Sequence, residues 1–304
     1  MAEIVGCLAL SHAPQLMLEP DLWGRLPTRE AERLPVRPEL TTLALETKRS
    51  LWEQCHATIA RQRELLAAYA PDTVVIVGDD QHENLVDDNM PPFLVFLGDE
   101  VEASTSMRVR GESFAGNRAC YRVDAALARW ALDGLMARGF DPSYARQTRF
   151  EGGLGHAFAR PLRWLLPEAE RAIVPVMVNT YYPPAPSAQR CLQFGAALGA
   201  ALRAFREPRR IVLVASGGLS HTKVDEALDR ELMAALARRD LDAMARLPEA
   251  ALVEGTSEIK NWLVVAAAAE GAGAMLEYLP LYRTDTGVGC AMGFAQWVEN
   301  GAPA

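Results

Sequence analysis

The stretch TVVIVGDDQHENL, residues 73–85, decides the fold of this chain. Its first half is a run of β-branched residues that ends at Gly78, which is typical of a buried strand. Its second half crowds three acids, Asp79, Asp80 and Glu83, around a histidine. Carboxylates so close together repel one another unless a cation lies among them. The stretch therefore predicts a buried strand whose carboxyl end carries a cation-binding loop.

The same alternation of apolar runs and helical patterns continues along the chain. Further strands are predicted over residues 3–10, 93–98, 172–179 and 210–216, with two more around a Gly-rich turn in residues 275–298. Helices are predicted over residues 39–70, 125–139, 187–205, 225–247 and 257–272. Strands that are apolar throughout and alternate with helices form sheets that are covered on both faces. We therefore predict an α/β fold with a central, largely parallel or mixed sheet, and one domain over residues 1–304.

Composition excludes several classes of protein. The 304 residues are 50% hydrophobic and 23% charged, with a formal net charge of −8. A nucleic-acid-binding protein normally shows a basic face, and no Lys/Arg-rich run occurs here. No apolar run reaches the roughly 18 residues of a membrane-spanning helix, and the first residues lack a basic leader. The five cysteines contain no C-x-x-C pair, which argues against a disulfide framework or a zinc ribbon. We expect a cytoplasmic protein that binds neither nucleic acid nor membrane.

Polar side chains follow the predicted strands directly. His12, His82 and His221 each come after an apolar run, and a fourth strand is followed by Asn179 and Tyr181. In open α/β sheets, ligands bind outside the carboxyl ends of the strands. We therefore expect these residues, which are remote in sequence, to meet in one crevice.

Two histidines and one carboxylate form a common metal site, which leaves positions open for substrate on Fe(II) and also suits catalytic zinc. The candidate carboxylates are Asp79, Asp80, Glu83, Glu254 and Glu258. We expect Asp79 or Asp80 to orient His82 through hydrogen bonds rather than to bind the metal. The remaining histidines are His156, in a Gly-rich segment, and His56, in the middle of a predicted helix.

Five short motifs occur in an order that is similar to a known family: SHAP (11–14), His82, GGLGHAFARPL (152–162), SGGLSH (216–221) and SEIKNW (257–262). Together they resemble the LigB-like extradiol ring-cleavage dioxygenases. This is the family of the catalytic subunit of protocatechuate 4,5-dioxygenase and of gallate and methylgallate dioxygenases. The resemblance spans nearly the whole chain.

The resemblance implies a non-haem Fe(II) enzyme that opens a catecholic ring beside the diol with O2. It implies His12, His82 and Glu258 as metal ligands, His221 as the acid–base residue, and His156 in the substrate pocket. Relatives often carry the second ligand tight against the strand end, whereas His82 lies four residues beyond the glycine. His56 and the acids of residues 79–83 therefore stay open as rival ligands.

The expected partners are a small aromatic diol and O2. We expect Asn179 and Tyr181 to contact the substrate, and Arg283 and Thr286 to hold a substrate carboxylate. The chain is expected to form a homo-oligomer, and the resemblance also implies a small accessory subunit. Two alternatives stay open, namely a zinc-dependent hydrolase that uses the same site and a metal-binding homologue without catalysis.

Overall fold

A computed structural model describes residues 1–26, 33–40, 44–107 and 110–298. The strands in this part of the chain are β1 Ala2–Leu10, β2 Thr73–Gly78, β3 Phe93–Phe96, β4 Glu100–Ser104, β5 Arg118–Arg122, β6 Ser143–Ala145, β7 Ala172–Val178, β8 Arg209–Ser216, β9 His221–Lys223, β10 Gly273–Tyr282 and β11 Val288–Trp297. The α-helices are α1 Leu45–Tyr69, α2 Ala125–Met136, α3 His156–Leu165, α4 Ala188–Arg203, α5 Glu226–Arg238, α6 Leu241–Ala245 and α7 Ile259–Ala268.

One large mixed sheet dominates the fold, as the sequence predicts. Its strand order is β10-β11-β1-β8-β2-β7-β3-β6, with β9 paired to β11, and β4 and β5 form a separate two-stranded sheet. The four central strands β1, β8, β2 and β7 are parallel. Strand β3 is antiparallel to β7, and β11 is antiparallel to β1 and β10. The carboxyl ends of the four central strands therefore meet at one edge.

Helices cover both faces of the sheet because the strand side chains alternate between two hydrophobic cores. In β1, Cys7 and Ala9 belong to one core and Leu8 and Leu10 to the other. The first core contains apolar residues of α2, α4, α5 and α7. The second core contains apolar residues of α1 and α3. The predicted layers are confirmed, while the single-domain interpretation stays a prediction.

The element boundaries differ from the predictions where local chemistry ends a helix or a strand. The first helix begins at Leu45 rather than at residue 39, and residues 41–43 lie outside the described part of the chain. The helix ends where the sequence predicts, because Ala70 adopts a left-handed conformation with φ 44°. The short strands β4, β5, β6 and β9 were not predicted because they are brief and partly polar. Among the described helices, none combines the length and the apolar character that a transmembrane segment requires.

Candidate metal centre

Three acidic or imidazole side chains converge where the central strands end. Strand β1 pairs with β8 so that Leu10 lies opposite Ser216, and β2 pairs with β8 so that Val77 lies opposite Ala215. His12 and Asp79 follow these strand ends within two residues. Glu258 reaches the same edge from a short 3-10 helix, Glu254–Glu258, which leads into α7.

The resulting cluster comprises His12, Asp79 and Glu258. One potential ligand atom from each residue lies within 4.8 Å of the other two, and all three residues are buried. Among the described residues, this is the group of histidine, cysteine and acidic side chains whose spacing could hold a metal ion. The resemblance implied His12 and Glu258 as ligands, and both lie in this cluster. Asp79 was expected to support a ligand, and it lies beside the other two.

The tautomer of His12 is set by a chain of hydrogen bonds that begins at a proline. Pro161 lies inside α3 and has no N–H for the carbonyl of Ala157, four residues earlier. That carbonyl accepts the hydroxyl hydrogen of Ser216 instead. Because the hydroxyl has one hydrogen, its oxygen must accept from His12 Nδ1, which lies 2.9 Å away. The lone pair of His12 therefore lies on Nε2, the atom that faces Glu258 at 3.5 Å.

Glu258 is the centre of the cluster. Its Oε2 accepts the backbone N–H of Gly218 at 2.8 Å. Its Oε1 lies 3.5 Å from His12 Nε2, 3.3 Å from His221 Nε2 and 3.2 Å from Gln81 Nε2. Burial alone would raise the pKa of this carboxyl, but its interactions with the imidazoles of His12 and His221 outweigh burial and hold the pKa well below its usual range. Glu258 is therefore an anion that needs cationic neighbours.

Asp79 adds a second buried carboxyl close to Glu258. Burial, followed by the negative charge of Glu258, raises the pKa of Asp79 to about 7. Gln81 donates its amide N–H to Asp79 Oδ2 at 3.1 Å and also to Glu258. Sequence reasoning did not single out Gln81, although it lies in the quoted stretch. Its amide nitrogen bridges two carboxylates, and a carboxylate pair of this kind is a suitable site for a cation.

His221 lies opposite His12 across Glu258 Oε1. Its Nδ1 donates to the carbonyl of Leu219 at 2.9 Å, so Nε2 is the atom that faces Glu258. Burial lowers the pKa of His221, but the charge of Glu258 and hydrogen bonds to Glu258 and Leu219 prevail and raise it to about 9. A Cβ on Gly255 would overlap the imidazole ring, so this glycine permits the close approach.

His156 is the first residue of α3 and is held by Glu83. Glu83 Oε1 accepts from the backbone N–H of His156 at 2.9 Å and lies 3.0 Å from its Nδ1. Burial lowers the pKa of His156, but the charge of Glu83 prevails and raises it. The rings of His156 and His12 meet edge to face with centroids 5.1 Å apart. The resemblance implied a position for His156 beside the metal site, and the structure brings its ring against that of His12.

His82, predicted as the second histidine ligand, lies outside the cluster. Its backbone has φ 62°, and its ring stacks on Tyr182 with centroids 3.6 Å apart. Its Nε2 lies 3.3 Å from Asp87, a carboxylate that is 96% exposed. The physical reason is Asp80, whose carboxylate accepts the backbone N–H groups of residues 83–85 and so turns the chain. Asp80 thus shapes the loop as a supporting residue.

The rival ligand His56 and the candidate carboxylate Glu254 also lie outside the cluster. His56 is on α1, where its Nε2 lies 3.0 Å from the carbonyl oxygen of Leu16 and its ring packs on Trp52. Burial lowers the pKa of His56. Glu254 is exposed at the start of the 3-10 helix that ends at Glu258. Glu258 therefore lies in the cluster and Glu254 does not, a choice that sequence spacing alone left open.

A cavity of about 370 Å³ opens onto the cluster. Its described lining includes His12, Gln81, Glu83, His156, Arg160, Tyr181, His221 and Glu258, together with the apolar residues Leu26, Met107, Phe114 and Phe150. Of the residues expected to contact substrate, Tyr181 lines this cavity. Asn179 does not, because its amide hydrogen-bonds the backbone of Tyr182 and closes a turn.

The residues expected to hold a substrate carboxylate lie away from this lining. Arg283 and Thr286 are in the connection between β10 and β11, where the Thr286 hydroxyl pairs with Thr284 at 2.8 Å. The arginine that does line the cavity is Arg160, in the motif GGLGHAFARPL. Sequence reasoning named the histidine of this motif and missed the arginine. The signal was available, because Arg160 follows His156 by four residues and lies on the same face of a helix.

The donor set fits a divalent metal ion. The unprotonated Nε2 of His12 faces the carboxylate of Glu258, and both groups are hydrogen-bond acceptors. Two acceptors that face each other are favourable only when a proton or a cation lies between them. Two carboxylates and one imidazole suit Fe(II), Mn(II) and Zn(II). The partner of His12 Nδ1 is a serine hydroxyl, which is an outer contact of the kind that orients metal-binding imidazoles.

Comparison with known proteins places this site in a family context. Residues 37–292 match the family model described as the catalytic LigB subunit of aromatic ring-opening dioxygenase. Two curated relatives are each named 2,3-dihydroxyphenylpropionate/2,3-dihydroxicinnamic acid 1,2-dioxygenase. The one from Klebsiella pneumoniae is 28% identical over 178 residues, which is 58% of this chain and 52% of the relative. The one from Escherichia coli is 31% identical over 172 residues, which is 56% of this chain and 49% of the relative.

The chain thus spans about half the length of the curated relatives it matches. Among solved structures, it is similar to the crystal structure of an uncharacterized protein from Escherichia coli, with a TM-score of 0.53. That likeness covers 96% of this chain and 99% of the other at 16% sequence identity, so it shows the fold alone.

Removal of any one cluster residue is expected to abolish metal binding. His12→Ala, Asp79→Asn and Glu258→Gln should each lower Fe(II) affinity by more than the roughly 10–100-fold that loss of an outer contact costs. His82→Ala is the matched control and should bind Fe(II) as the unmodified protein does. Anaerobic calorimetric titration measures these affinities. Loss of Fe(II) in His82→Ala with retention in Asp79→Asn would restore His82 to the ligand set.

Loss of the Ser216 hydroxyl should weaken metal binding without removing a ligand. In Ser216→Ala, His12 Nδ1 loses its acceptor and the imidazole is free to take the other tautomer. We expect Fe(II) affinity to fall roughly 10–100-fold, the usual cost of an outer contact. Ser11→Ala is the control, because Ser11 is also buried beside His12 but bonds Gly293. Equal affinities in the two variants would show that Ser216 does not orient His12.

Proposed function

The chain belongs to the family of the catalytic LigB subunit of aromatic ring-opening dioxygenases, and we propose that it is an Fe(II)-dependent extradiol dioxygenase that opens a catecholic ring. The observation that supports this most is that His221 and His156 line the same cavity as His12 and Glu258, two members of the buried His12–Asp79–Glu258 cluster. The curated relatives are named for substrates with a dihydroxyphenyl group, which supports a catecholic substrate class.

The metal site in this proposal is formed by His12, Asp79 and Glu258. Bound Fe(II) would supply the route by which electrons pass from the catecholate to O2. Gln81 donates its amide nitrogen to both carboxylates, so this amide would have to turn aside for the two carboxylates to hold a metal ion. Asp79 replaces the His82 of the sequence interpretation in this role.

The cavity walls suit an aromatic ring. Phe114 and Phe150 meet in a T-shaped contact with centroids 4.7 Å apart, and both line the cavity. Buried Met107 and Leu26 add to the apolar part of the lining. A ring held against these residues can direct its hydroxyl groups toward the polar residues of the same lining.

His221 is the proposed acid–base residue. Its Nδ1–H is committed to the Leu219 carbonyl, so Nε2 is the atom that takes a proton from a phenolic hydroxyl and later returns it. Beside ionised Glu258, the pKa of His221 is raised to about 9. A dication held by Glu258 would offset that negative charge and lower the pKa of His221. The residue would then exchange protons near neutral pH, as general acid–base catalysis requires.

His156 is proposed to contact the bound substrate. Glu83 occupies its Nδ1, so Nε2 remains to interact with a ligand in the cavity. The raised pKa of His156 favours the imidazolium, which donates a hydrogen bond rather than accepting one. We therefore assign to His156 the stabilisation of an oxygen that gains negative charge.

The activity is tested by oxygen uptake on a panel of catechols after anaerobic loading with Fe(II). We expect O2 consumption coupled to formation of a ring-opened product that absorbs in the visible range. Hydroquinone, whose hydroxyl groups cannot both bind one metal, is the matched control and should give no uptake. Zinc in the purified protein, together with ester or amide hydrolysis and no uptake, would replace this proposal with a metal-dependent hydrolase.

Substitution of His221 should separate proton transfer from metal binding. His221→Gln is expected to retain Fe(II) affinity and catechol binding, while turnover falls by about a hundred- to ten-thousand-fold. Fe(II) content and anaerobic catechol binding are measured beside O2 uptake. A variant that loses its iron would make His221 a metal ligand, and one that retains full turnover would remove it from the reaction.

A further inference from the structure

We propose that Asp229 is a positioning residue for His221, and that it acts through the peptide group that joins Leu219 to Ser220. This inference rests on the proposed function, since it deepens the account of the acid–base residue in the same reaction. Asp229 lies on α5 and is not among the described residues that line the cavity. Its effect on the reaction therefore has to pass through another residue.

The Leu219–Ser220 peptide group forms a hydrogen bond at each end. Its carbonyl oxygen, from Leu219, accepts from His221 Nδ1 at 2.9 Å. Its N–H, from Ser220, donates to Asp229 Oδ1 at 2.7 Å. The N–H and the C=O of a trans peptide share one rigid plane and point in opposite directions. The carboxylate therefore fixes this plane from the side opposite the imidazole.

The carboxylate of Asp229 is itself held in place. The residue is fully buried, and its Oδ2 accepts from the hydroxyl groups of Ser220 and Tyr278 at 2.7 and 2.8 Å. The Ser220 oxygen accepts the backbone N–H of Asp225 at 2.7 Å, so its single hydrogen is available to Asp229. A buried carboxylate is costly unless it is hydrogen-bonded, and these donors meet that requirement. Asp229 is thus a fixed acceptor for the Ser220 N–H.

The same chain of hydrogen bonds favours one form of the imidazole. Hydrogen bonds in series polarise one another inside a protein. A peptide whose N–H donates to a carboxylate therefore offers a stronger carbonyl acceptor at its other end. The stronger Leu219 carbonyl keeps the hydrogen of His221 on Nδ1. Proton exchange is then left to Nε2, the atom that lies 3.3 Å from Glu258.

The other contacts of His221 do not fix its ring in this way. Thr256 Oγ1 accepts the backbone N–H of His221 and donates to its carbonyl, both at 3.0 Å, which holds the main chain alone. Among the described residues, the groups that meet the ring nitrogens are the Leu219 carbonyl and the Glu258 carboxylate. Glu258 is a proposed metal ligand, so the hydrogen bond at Nδ1 is the restraint that remains once its charge is shared with a metal ion.

The test compares two substitutions of Asp229 with a matched control on the same carboxylate. Asp229→Ala removes the acceptor of the Ser220 N–H, whereas Asp229→Asn keeps an amide oxygen that accepts it more weakly. Tyr278→Phe is the control, because it removes one donor to Oδ2 and leaves the bond from Ser220 N–H to Oδ1 in place. Each variant is also made in the His221→Gln background, and Fe(II) affinity is measured throughout.

The kinetic readout separates kcat from KM on a catechol. We expect Asp229→Ala to lower kcat by roughly 10–100-fold, the range for a hydrogen bond to a charged group, while KM and Fe(II) affinity change less than about threefold. Asp229→Asn should recover part of the loss, and Tyr278→Phe should have normal kcat. In the His221→Gln background, Asp229→Ala should lower kcat no further, because the two residues act as one unit.

Two kinetic results would overturn the inference. An equal loss of kcat with and without His221 would show that Asp229 acts independently of this histidine. A loss in Tyr278→Phe as large as that in Asp229→Ala would show that the carboxylate only supports the packing of α5 and β10. If Asp229→Ala does not fold, Asp229→Asn decides, with an expected fall in kcat of roughly 2–10-fold. Normal kcat in Asp229→Asn would then overturn the inference.

A spectroscopic readout needs neither metal nor turnover. In metal-free protein with isotope-labelled histidine, the ring nitrogens of His221 are detected by NMR through the carbon-bound ring protons and are identified by their absence in His221→Gln. We expect the Nδ1 resonance to move in Asp229→Ala, to move less in Asp229→Asn and to stay in place in Tyr278→Phe. An Nδ1 resonance that does not respond to either substitution of Asp229 would overturn the inference.

The NMR result stands apart from the proposed activity. If the Nδ1 resonance responds as expected but the unmodified protein consumes no O2 with any catechol, the dioxygenase proposal fails while Asp229 keeps its effect on His221. If O2 uptake occurs and neither kcat nor the Nδ1 resonance responds to substitution of Asp229, the proposed function stands and this inference fails.

Discussion

The buried carboxylate of Glu258 is the interaction on which the site depends. A carboxylate removed from water is costly unless it is paired and hydrogen-bonded. Here one N–H group, two imidazoles and one amide lie within 3.5 Å of its two oxygens. These partners come from the loops that follow β1, β2 and β8. The need to satisfy one buried charge thus holds together the ends of three strands that are distant in sequence.

Helix α3 supports this arrangement from outside the cluster. Pro161 would ordinarily be unfavourable inside a helix because it frees a carbonyl. In this protein the freed carbonyl of Ala157 accepts from Ser216, which in turn accepts from His12. Arg160, on the same helix, donates a hydrogen bond to the backbone carbonyl of His12. The carbonyl that Pro161 leaves free thus fixes the orientation of the His12 imidazole through the Ser216 hydroxyl.

The sequence predicted the sheet, its two covered faces and the crevice at the strand ends, because hydrophobic periodicity reports directly on burial. The strand ends predicted that His12 and His221 meet in one crevice, and the family resemblance added His156. The sequence could not show which residue after β2 directs its side chain toward the metal cluster. Three backbone N–H groups bind Asp80, the chain turns, and His82 takes a positive φ and faces outward while Gln81 faces the cluster. Such a turn depends on hydrogen bonds that periodicity does not encode. For the same reason Arg283 was chosen over Arg160, since only the fold shows which arginine meets the cavity.

In the proposed site, the carboxylate of Asp79 stands where the resemblance implied a histidine, and this changes the charge of the metal site. With two imidazoles and one carboxylate, a dication would keep one net positive charge. With Asp79 and Glu258 both ionised, the same dication would be neutralised, and metal binding itself favours that ionisation. Positive charge beside the site would then come from the protein. Arg160, which remains a cation at neutral pH, and His156, whose raised pKa favours its protonated form, both line the cavity.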